Sequence, residues 1–258
     1  MCQEKLQTNI AGGVEQHPAA PIPPIRFAAI VPALNEADSL GVLLAQTELG
    51  RLEEIIVVDN GSSDATAAVA LAGGAHVVHE PSRGYGRACQ AGIAALPDRA
   101  DAVVFMDADL SDDPADLERL LDFFAGGAWD MVIGSRLLGH SDPCSLTPVQ
   151  YFGNWFATKL IGWIWKVRYT DLGPLRVIRR SALERMALCD QDFGWNVEMQ
   201  AKAAMLRLRV AEIPVSYRRR RFGQSKISGT LTGSVQAGFK ILITIGRCWL
   251  NGRRADSP

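Results

Sequence analysis

The chain has 258 residues, of which 48% are hydrophobic and 21% charged, and its 27 basic and 28 acidic side chains leave a formal net charge of −1. These values are typical of a globular protein and exclude a mainly disordered chain, a collagen, a coiled coil and a disulfide scaffold. The charge is unevenly spread, because residues 1–201 carry 15 basic and 26 acidic side chains whereas residues 202–258 carry 12 and 2. Such a basic end predicts contact with an anionic partner: nucleic acid, membrane phosphates or a phosphorylated substrate.

The N-terminal residues and the cysteines both favour a cytosolic protein. Residues 1–25 are rich in Pro and Ala without apolar periodicity and predict a disordered leader rather than a secretory signal. No apolar stretch approaches the roughly 20 residues that cross a bilayer. The five cysteines form no Cys-x-x-Cys pair, which favours reduced thiols over disulfides or a zinc site.

From residue 26 onward, short apolar strands are predicted to alternate with helices. In chain order, the pattern predicts strands at 27–31, 54–59, 76–79, 102–107 and 130–134, separated by helices at 38–49, 65–72, 84–96 and 114–124. Later segments predict helices at 149–167, 195–206 and 229–249, and strands at 175–178 and 210–217. This alternation predicts an α/β protein whose mostly parallel sheet is covered by helices on both faces.

Polar side chains stand where the predicted strands end. Glu36 follows the first strand, Asp59 ends the second, and Asp107 and Asp109 close the fourth. In open α/β sheets, ligands bind beyond the carboxyl ends of the strands, so these groups are expected to line one site. Asp107-Ala108-Asp109 places two carboxylates where both can hold one hard cation such as Mg²⁺ or Mn²⁺. A plain surface turn is the alternative for this motif taken alone.

Two glycine-containing turns add binding groups. The turn Asn60-Gly61-Ser62-Ser63-Asp64 follows Asp59, whose carboxylate suits a base or a ribose, although a simple helix-capping turn has the same pattern. Arg83-Gly84-Tyr85-Gly86-Arg87 opens a helix, where close backbone approach and Arg87 suit a phosphate.

Taken in order, four segments resemble the family-2 glycosyltransferases of the GT-A fold: Pro32 to Glu36, Val58 to Asp64, Gly84 to Ala88 and Asp107 to Asp109. The resemblance covers about residues 26–240. Segments 170–176, 195–200 and 223–226 are similar to the branch that contains dolichyl-phosphate mannose synthase and bacterial polyprenyl-phosphate sugar transferases. The resemblance implies one GT-A domain at 26–250, with a nucleotide-sugar-binding half at 26–134 and an acceptor-binding half at 135–250. A tail follows at 251–258.

The resemblance implies inverting transfer of a sugar from a UDP- or GDP-sugar with the help of Mg²⁺ or Mn²⁺. Asp107 and Asp109 would hold the metal. The residues expected to bind the donor are Pro32, Leu34, Glu36, Asp59, Gly84, Arg87 and Asp107. Polyprenyl phosphate is the favoured acceptor, and the residues that match phosphate-binding positions are Ser135, Arg136, Arg220 and Lys226.

The sequence also departs from that branch. Ser111 stands where Gln is usual, two residues after Asp109, and residues 150–155 lack the arginine that is often found there. A hydroxyl acceptor would need a carboxylate base, for which Glu198 and Asp171 are the candidates, with a purely structural role as the alternative for Glu198.

Several alternatives stay open at this point. Within the family, the acceptor is alternatively a hydroxyl of a soluble molecule or a nascent glycan; outside it, the chain would be a nucleotidyltransferase or a non-catalytic nucleotide-sugar-binding protein.

No nucleic-acid partner is expected, because no recognised motif is present. The expected location is the cytoplasm, with peripheral attachment to the inner membrane face as an option, and the oligomeric state is undetermined. Core packing is expected for most aromatic side chains of residues 151–165, with a membrane interface as the alternative.

Overall fold

The computed structural model describes residues 24–47, 51–142, 145–220 and 240–251. Lys226, the first part of the predicted helix at 229–249, and nearly all of the predicted leader and tail lie outside the described residues.

A seven-stranded sheet forms the centre of the described structure. Its strands are β1 (Phe27–Ala33), β2 (Leu52–Asp59), β3 (His76–His79), β4 (Ala102–Phe105), β5 (Met131–Ser135), β6 (Arg176–Arg179) and β7 (Val210–Pro214). They lie in the order β3-β2-β1-β4-β6-β5-β7. Only β6 is antiparallel to its neighbours, and every other pair of adjacent strands is parallel. The predicted mostly parallel α/β sheet is confirmed.

Helices connect and cover the strands. They are α1 (Ala37–Gln46), α2 (Thr66–Ala72), α3 (Tyr85–Ala94), α4 (Pro114–Ala125), α5 (Pro148–Trp165), α6 (Arg180–Met186) and α7 (Trp195–Met205), with a further helix over residues 240–251. The short α6 follows β6 without a loop and was not predicted. Asp113 caps α4, and Thr147 and Gln150 form a capping box on α5. Among the described residues, no helix has the length and apolarity that a membrane span requires.

The two faces of the sheet bury separate hydrophobic clusters, because successive side chains of a strand point to opposite faces. Ala29 and Val31 of β1 belong to the cluster that contains the apolar residues of α1 and α4. Ala28 and Ile30 belong to the opposite cluster, with residues of α3, α6 and α7. Within the described part of the chain, helices thus cover both faces of the sheet.

Two strands end earlier than predicted. After Phe105 the chain leaves the sheet for the turn that carries Asp107 and Asp109, in which Leu110 has a positive φ of 59°. After Pro214 the backbone no longer pairs with a neighbouring strand but forms hydrogen bonds to loops. The Tyr217 backbone N–H, for example, donates to the carbonyl of His140 at 3.0 Å. Because both strands end early, the turn with Asp107 and Asp109 and the segment after Pro214 lie outside the hydrogen-bonded strands of the sheet.

The prediction of core packing for the aromatic side chains of α5 is wrong for most of them. The exposed ones are Tyr151, Phe152, Trp155, Phe156 and Trp163. The buried face of α5 instead carries smaller side chains, among them Ala157 and Ile161, which pack against α7 and the helix at 240–251. Among the aromatic side chains of α5, Trp165 at its C-terminal end does pack against this cluster.

Candidate active site

The described strands meet at one edge of the sheet. β1, β2, β4, β5 and β7 end at this edge, whereas the antiparallel β6 begins there, with Arg176 paired beside Phe105 and Ile133. The loops that leave this edge carry Glu36, Asp59, Asp107 and Asp109, so the structure brings together the carboxylates that the sequence places at strand ends.

Asp107 and Asp109 lie in the turn after β4. The Tyr85 hydroxyl donates to Asp107 Oδ1 at 3.2 Å, and the buried Asp109 accepts from the backbone N–H of Ser111 at 2.9 Å. Burial, followed by the charge of Asp109, raises the pKa of Asp107 to about 7. A cation beside the pair would favour the charged form of both carboxyl groups.

Arg220 connects the basic end of the chain to this pair. Its guanidinium lies 2.8 Å from Asp109 Oδ2 and donates to Glu36 Oε1 at 2.9 Å, across 184 residues of sequence. Both carboxylates are buried, with 6% of Asp109 and 7% of Glu36 exposed. Arg220 thus holds a positive charge against the cluster of carboxylates that the turn after β4 and the start of α1 create.

Asp112 is a further carboxylate of this cluster. It is 4% exposed, and neither of its side-chain oxygens has a hydrogen-bond partner among the described residues. Burial, then the charges of Asp107 and Asp109, raise the pKa of Asp112, while the charge of Arg136 opposes that rise. Since a buried carboxyl without a partner is costly, this position suits a substrate group or a cation. The Asp112-Asp113 pair is visible in the sequence, but only the fold shows that Asp113 caps α4 and Asp112 turns inward.

The turns after β1 and β2 form the side of the site expected to hold the nucleotide. Glu36 Oε2 accepts from the Ser39 hydroxyl at 3.0 Å, and Asp59 Oδ1 accepts from the backbone N–H of Ser62 at 3.0 Å. Asp59 Oδ2 also lies 3.3 Å from His79 Nδ1. Pro32 and Leu34, on the same segment as Glu36, are half-buried.

The turn before α3 is held from two sides. Asn60 Oδ1 accepts from the Gly84 backbone N–H at 2.8 Å, and the backbone N–H of Arg87 donates to the Gln191 carbonyl at 3.1 Å. Gly84 has a φ of 149°, which favours glycine, and a Cβ there would overlap the Gln191 carbonyl oxygen. A Cβ on Gly86 would likewise overlap the carbonyl oxygen of Asp190. This close approach fixes Tyr85, whose hydroxyl meets Asp107.

Replacing Gly86 with alanine is therefore expected to destabilise the protein by about 1–3 kcal/mol, since the loop at 190–191 must shift. Gly153→Ala is the matched control, because Gly153 also lies in a helix and a Cβ there would meet nothing within 4 Å. The control should be neutral or slightly stabilising. Thermal and denaturant unfolding of both variants measures the difference, and equal stabilities would contradict the close packing described here.

Arg136 and Asp171 form a buried ion pair on the opposite side of the site. Arg136 donates through Nε and Nη2 to the two oxygens of Asp171, each at 2.8 Å, and its backbone N–H donates to Asp171 Oδ2 at 2.8 Å. Asp171 is fully buried. The guanidinium carbon of Arg136 also lies 5.0 Å from the centre of the Tyr217 ring. The resemblance predicts that Arg136 binds a phosphate, and the structure shows that its guanidinium is paired with Asp171.

The surroundings of this pair connect it to α5. The hydroxyls of Ser135 and Thr170 lie 2.7 Å apart, and Asn154 of α5 donates to the Thr170 carbonyl at 3.2 Å. Asn154 Oδ1 in turn accepts from the Leu172 backbone N–H at 2.7 Å. Helix α5 is thereby fixed against the segment that carries Asp171.

The structure does not bring Glu198 to the carboxylate cluster. Its oxygens accept from the backbone N–H groups of Cys189 and Asp190 at 2.7–3.2 Å, and one lies 2.8 Å from Lys202 Nζ. Burial opposes ionisation, but the bonds from Lys202 and the backbone leave the pKa of Glu198 lowered. These contacts fit the structural role considered for Glu198, and the proposal below gives it no catalytic role.

Arg176 ends the segment 170–176 that carries the resemblance, but no role was predicted for it. It is fully buried at the start of β6, and Nη2 donates to the carbonyls of Leu172 and Gly173. Burial lowers the pKa of Arg176 to about 10. A role for Arg176 was not predicted because the first residue of a parallel strand lies at the end of the sheet away from Asp107 and Asp109.

The carboxylates near β4 suit a divalent cation held together with substrate. Within the described residues, no three side chains of His, Cys, Asp or Glu are grouped closely enough to form a complete metal site. Mg²⁺ sites, however, commonly use one or two carboxylates plus substrate phosphates. Arg220 already places one positive charge against Asp109 in this cluster.

Comparison with known proteins agrees with this geometry. The sequence profile of glycosyl transferase family 2 matches residues 28–187. The chain belongs to this family. It is 39% identical to an uncharacterised glycosyltransferase of Mycobacterium tuberculosis over 216 residues, which cover 81% of this chain and 92% of the relative. An undecaprenyl-phosphate mannosyltransferase of Micrococcus luteus is 31% identical over 225 residues, covering 81% and 90% of the two chains.

A solved structure shows the same fold. Glucosyl-3-phosphoglycerate synthase of Mycobacterium tuberculosis, in complex with Mn²⁺, UDP and phosphoglyceric acid, superposes with a TM-score of 0.69 at 22% identity, over 87% of this chain and 78% of the other. The predicted GT-A fold is confirmed. Because the chain is a family-2 glycosyltransferase, it is an enzyme, and the nucleotidyltransferase and non-catalytic alternatives are set aside.

Proposed function

We propose that this family-2 glycosyltransferase transfers a sugar, with inversion, from a UDP- or GDP-sugar to a polyprenyl phosphate. The observation that carries the choice of acceptor is the buried pair of Arg136 and Asp171. A phosphate acceptor is already anionic and needs no base, whereas both carboxylates expected as bases, Asp171 and Glu198, are bound to cationic side chains. The M. luteus relative, an undecaprenyl-phosphate mannosyltransferase by name, supports the same acceptor.

On this proposal the two sides of the site have different tasks. The segment 26–134 binds the donor, with Pro32, Leu34, Glu36 and Asp59 at the nucleotide and the turn before α3 at the phosphates. The segment 135–250 binds the acceptor, with Ser135, Arg136, Arg220 and Lys226 near phosphate oxygens. Arginine suits this task because its planar fork of donors matches phosphate oxygens.

The reaction follows from these positions. An acceptor phosphate oxygen forms a bond to the anomeric carbon, and the bond from that carbon to the donor phosphate breaks with its electrons on the nucleoside diphosphate. Asp107 and Asp109 would hold Mg²⁺ or Mn²⁺, which supplies charge neutralisation for the leaving diphosphate when bound. Arg220 offers a second positive charge at the same place, since it already contacts Asp109.

A donor screen tests the proposal. Purified protein is incubated with Mn²⁺ and a panel of UDP- and GDP-sugars, with and without polyprenyl phosphate, and the released nucleoside diphosphate is measured. We expect one donor to give release that the lipid stimulates about tenfold or more, and a chelator to suppress it. Slow release that is indifferent to the lipid would contradict the proposed acceptor. No release from any donor, with no donor binding by calorimetry, would contradict the whole proposal.

A hydroxyl acceptor is the second candidate, and Asp112 is the observation that favours it. Its unpartnered oxygens offer a base that the ion pairs of Asp171 and Glu198 do not. Asp112→Asn separates the two candidates in the same screen. A base would make the loss of turnover about 10²-fold or more, whereas a phosphate acceptor leaves turnover much less affected.

We also propose that the enzyme works in the cytoplasm, attached peripherally to the inner face of the membrane. A polyprenyl phosphate stays in the bilayer, so the site that receives it must reach the bilayer surface.

A further inference from the structure

Helix α5 presents an aromatic face to solvent. We define this aromatic face by the side chains of Tyr151, Phe152, Trp155, Phe156 and Trp163. Phe152 is 61% exposed, Trp155 47% and Trp163 73%. The rings of Phe152 and Trp155 lie 5.8 Å apart, and those of Phe152 and Phe156 are stacked at 6.2 Å, so these three rings form one apolar cluster, with Trp163 about two turns further along the helix. Contiguous apolar patches of this kind mark protein or membrane interaction sites.

The side chains of the aromatic face are not those that pack α5 against the rest of the protein. The opposite side of α5 is already buried against α7 and the helix at 240–251 through Ala157 and Ile161. The neighbouring helix at 240–251 also exposes apolar side chains, with Leu242 at 44% and Leu250 at 54%. Two helices packed together therefore expose apolar groups in one layer of the molecule.

The charge of this layer has one sign. Neither the 18 residues of α5 nor the helix at 240–251 contains an acidic residue. The basic residues are Lys159 in α5, Lys166 at its end, and Lys240 and Arg247 in the other helix, of which Lys240 is paired with the buried Asp190 at 3.0 Å. Lys166 Nζ lies 6.0 Å from the Trp163 ring, which places the cation at the border of the aromatic face. Aromatic rings flanked by lysines suit the interface between acyl chains and anionic headgroups.

The aromatic face is also continuous with the acceptor side of the site. Asn154 of α5 bonds to Thr170 and Leu172, the two neighbours of Asp171. Asp171 in turn holds Arg136. A surface that lies against α5 is therefore one helix away from the guanidinium that is proposed to meet the acceptor phosphate.

We propose that the aromatic face of α5, together with the adjoining helix at 240–251, is the docking surface for an anionic lipid bilayer. The helix lies flat on the headgroups, along its length of about 27 Å, with its aromatic rings among the upper acyl chains. This orientation brings the side of the site that carries Arg136 to the lipid surface. The docking proposal rests on the proposed function only for the identity of the acceptor. A bilayer is favoured over a protein partner by the single sign of charge and by the aromatic and lysine composition.

Vesicle binding of the full chain, without any polyprenyl phosphate, tests the docking surface. Co-sedimentation is measured with vesicles of phosphatidylcholine alone and of phosphatidylcholine with phosphatidylglycerol. We expect binding to the anionic vesicles that weakens as salt is added. The triple variant Phe152→Ser, Trp155→Ser, Trp163→Ser should bind them about tenfold or more weakly. Lys159→Glu should weaken binding to anionic vesicles without changing binding to neutral ones.

Leu71→Ser with Phe123→Ser is the matched control, because it removes exposed apolar side chains from α2 and α4. It should bind vesicles as the wild type does. Circular dichroism and thermal unfolding establish that each variant is folded. Quenching of tryptophan fluorescence by brominated lipids gives a second readout, which the triple variant should largely lose.

Three results would overturn the docking surface. They are a wild type that binds neither vesicle, a triple variant that binds as well as the wild type, and self-association that depends on the aromatic face without vesicle binding. Light scattering of wild type and triple variant detects the last case. Turnover with a short, water-soluble prenyl phosphate is measured separately and should be unchanged in the triple variant. A wild type inactive in that assay would contradict the proposed acceptor while leaving the vesicle result intact.

Discussion

Replacing Asp107 and Asp109 together with asparagine is expected to lower nucleoside diphosphate release by about 10³-fold or more. Asparagine keeps the size of each side chain but removes both negative charges from the turn after β4, so a divalent cation and the donor diphosphate lose their shared site. The readouts are release from the donor found in the screen and Mn²⁺ affinity by calorimetry. Both should fall in the double variant.

Asp101→Asn is the matched control for that experiment. Asp101 lies immediately before β4, at the opposite end of the same strand, and pairs with Arg26 at 3.0 Å in an exposed salt bridge. Exposed pairs contribute little, so turnover should stay within about twofold of the wild type. A double variant at 107 and 109 that keeps more than about a tenth of the wild-type rate would show that these carboxylates do not carry the reaction.

The second large effect is expected on stability. Arg136→Ala leaves Asp171 fully buried without its cation, and breaking a buried ion pair in this way costs about 3–5 kcal/mol. For a protein of this size, the midpoint of thermal unfolding should fall by roughly 10 °C. Denaturant unfolding gives the free energy directly. Lipid-stimulated turnover should be lost as well, since Arg136 is proposed to meet the acceptor phosphate.

Two further variants separate the ion pair from general damage. Arg136→Met combined with Asp171→Leu removes both charges, and should recover part of the lost stability but none of the lipid-stimulated turnover. Arg209→Ala breaks the more exposed pair with Asp130, in which Arg209 Nε lies 3.3 Å from Asp130 Oδ2, and should cost no more than about 1 kcal/mol. Equal losses for Arg136→Ala and Arg209→Ala would contradict the special role of the buried pair.

The carboxylate edge was predictable because its signals are local. Each apolar run that becomes a strand is followed directly by a turn residue or an acid, as with Asp59 and Asp107, and parallel strands bring such ends to one edge. The order of those segments also carries the family resemblance, which the match to residues 28–187 bears out. Mg²⁺ or Mn²⁺ as cofactor stays a proposal, supported by the carboxylate cluster.

The remaining features depend on contacts between distant segments. The antiparallel direction of β6 places Arg176 at the site, and no property of residues 176–179 themselves indicates that direction. The ion pairs of Arg220 with Glu36 and Asp109, and of Glu198 with Lys202, likewise join segments that are far apart in the sequence or depend on how the chain folds. Charged side chains look alike in a sequence whether they bind substrate or a neighbour.

The sequence by itself thus determined the α/β class, the strand ends that carry Asp59, Asp107 and Asp109, and the basic end of the chain, because periodicity, turn residues and charge are properties of short segments. Only the tertiary structure decided which strand is reversed, that Asp171 positions Arg136, and that most rings of α5 face outward. Apolar periodicity predicts that a helix has an apolar face, but it does not tell whether that face meets the core or the surroundings. That choice depends on the volume left between α5, α7 and the helix at 240–251, which is set only when they pack.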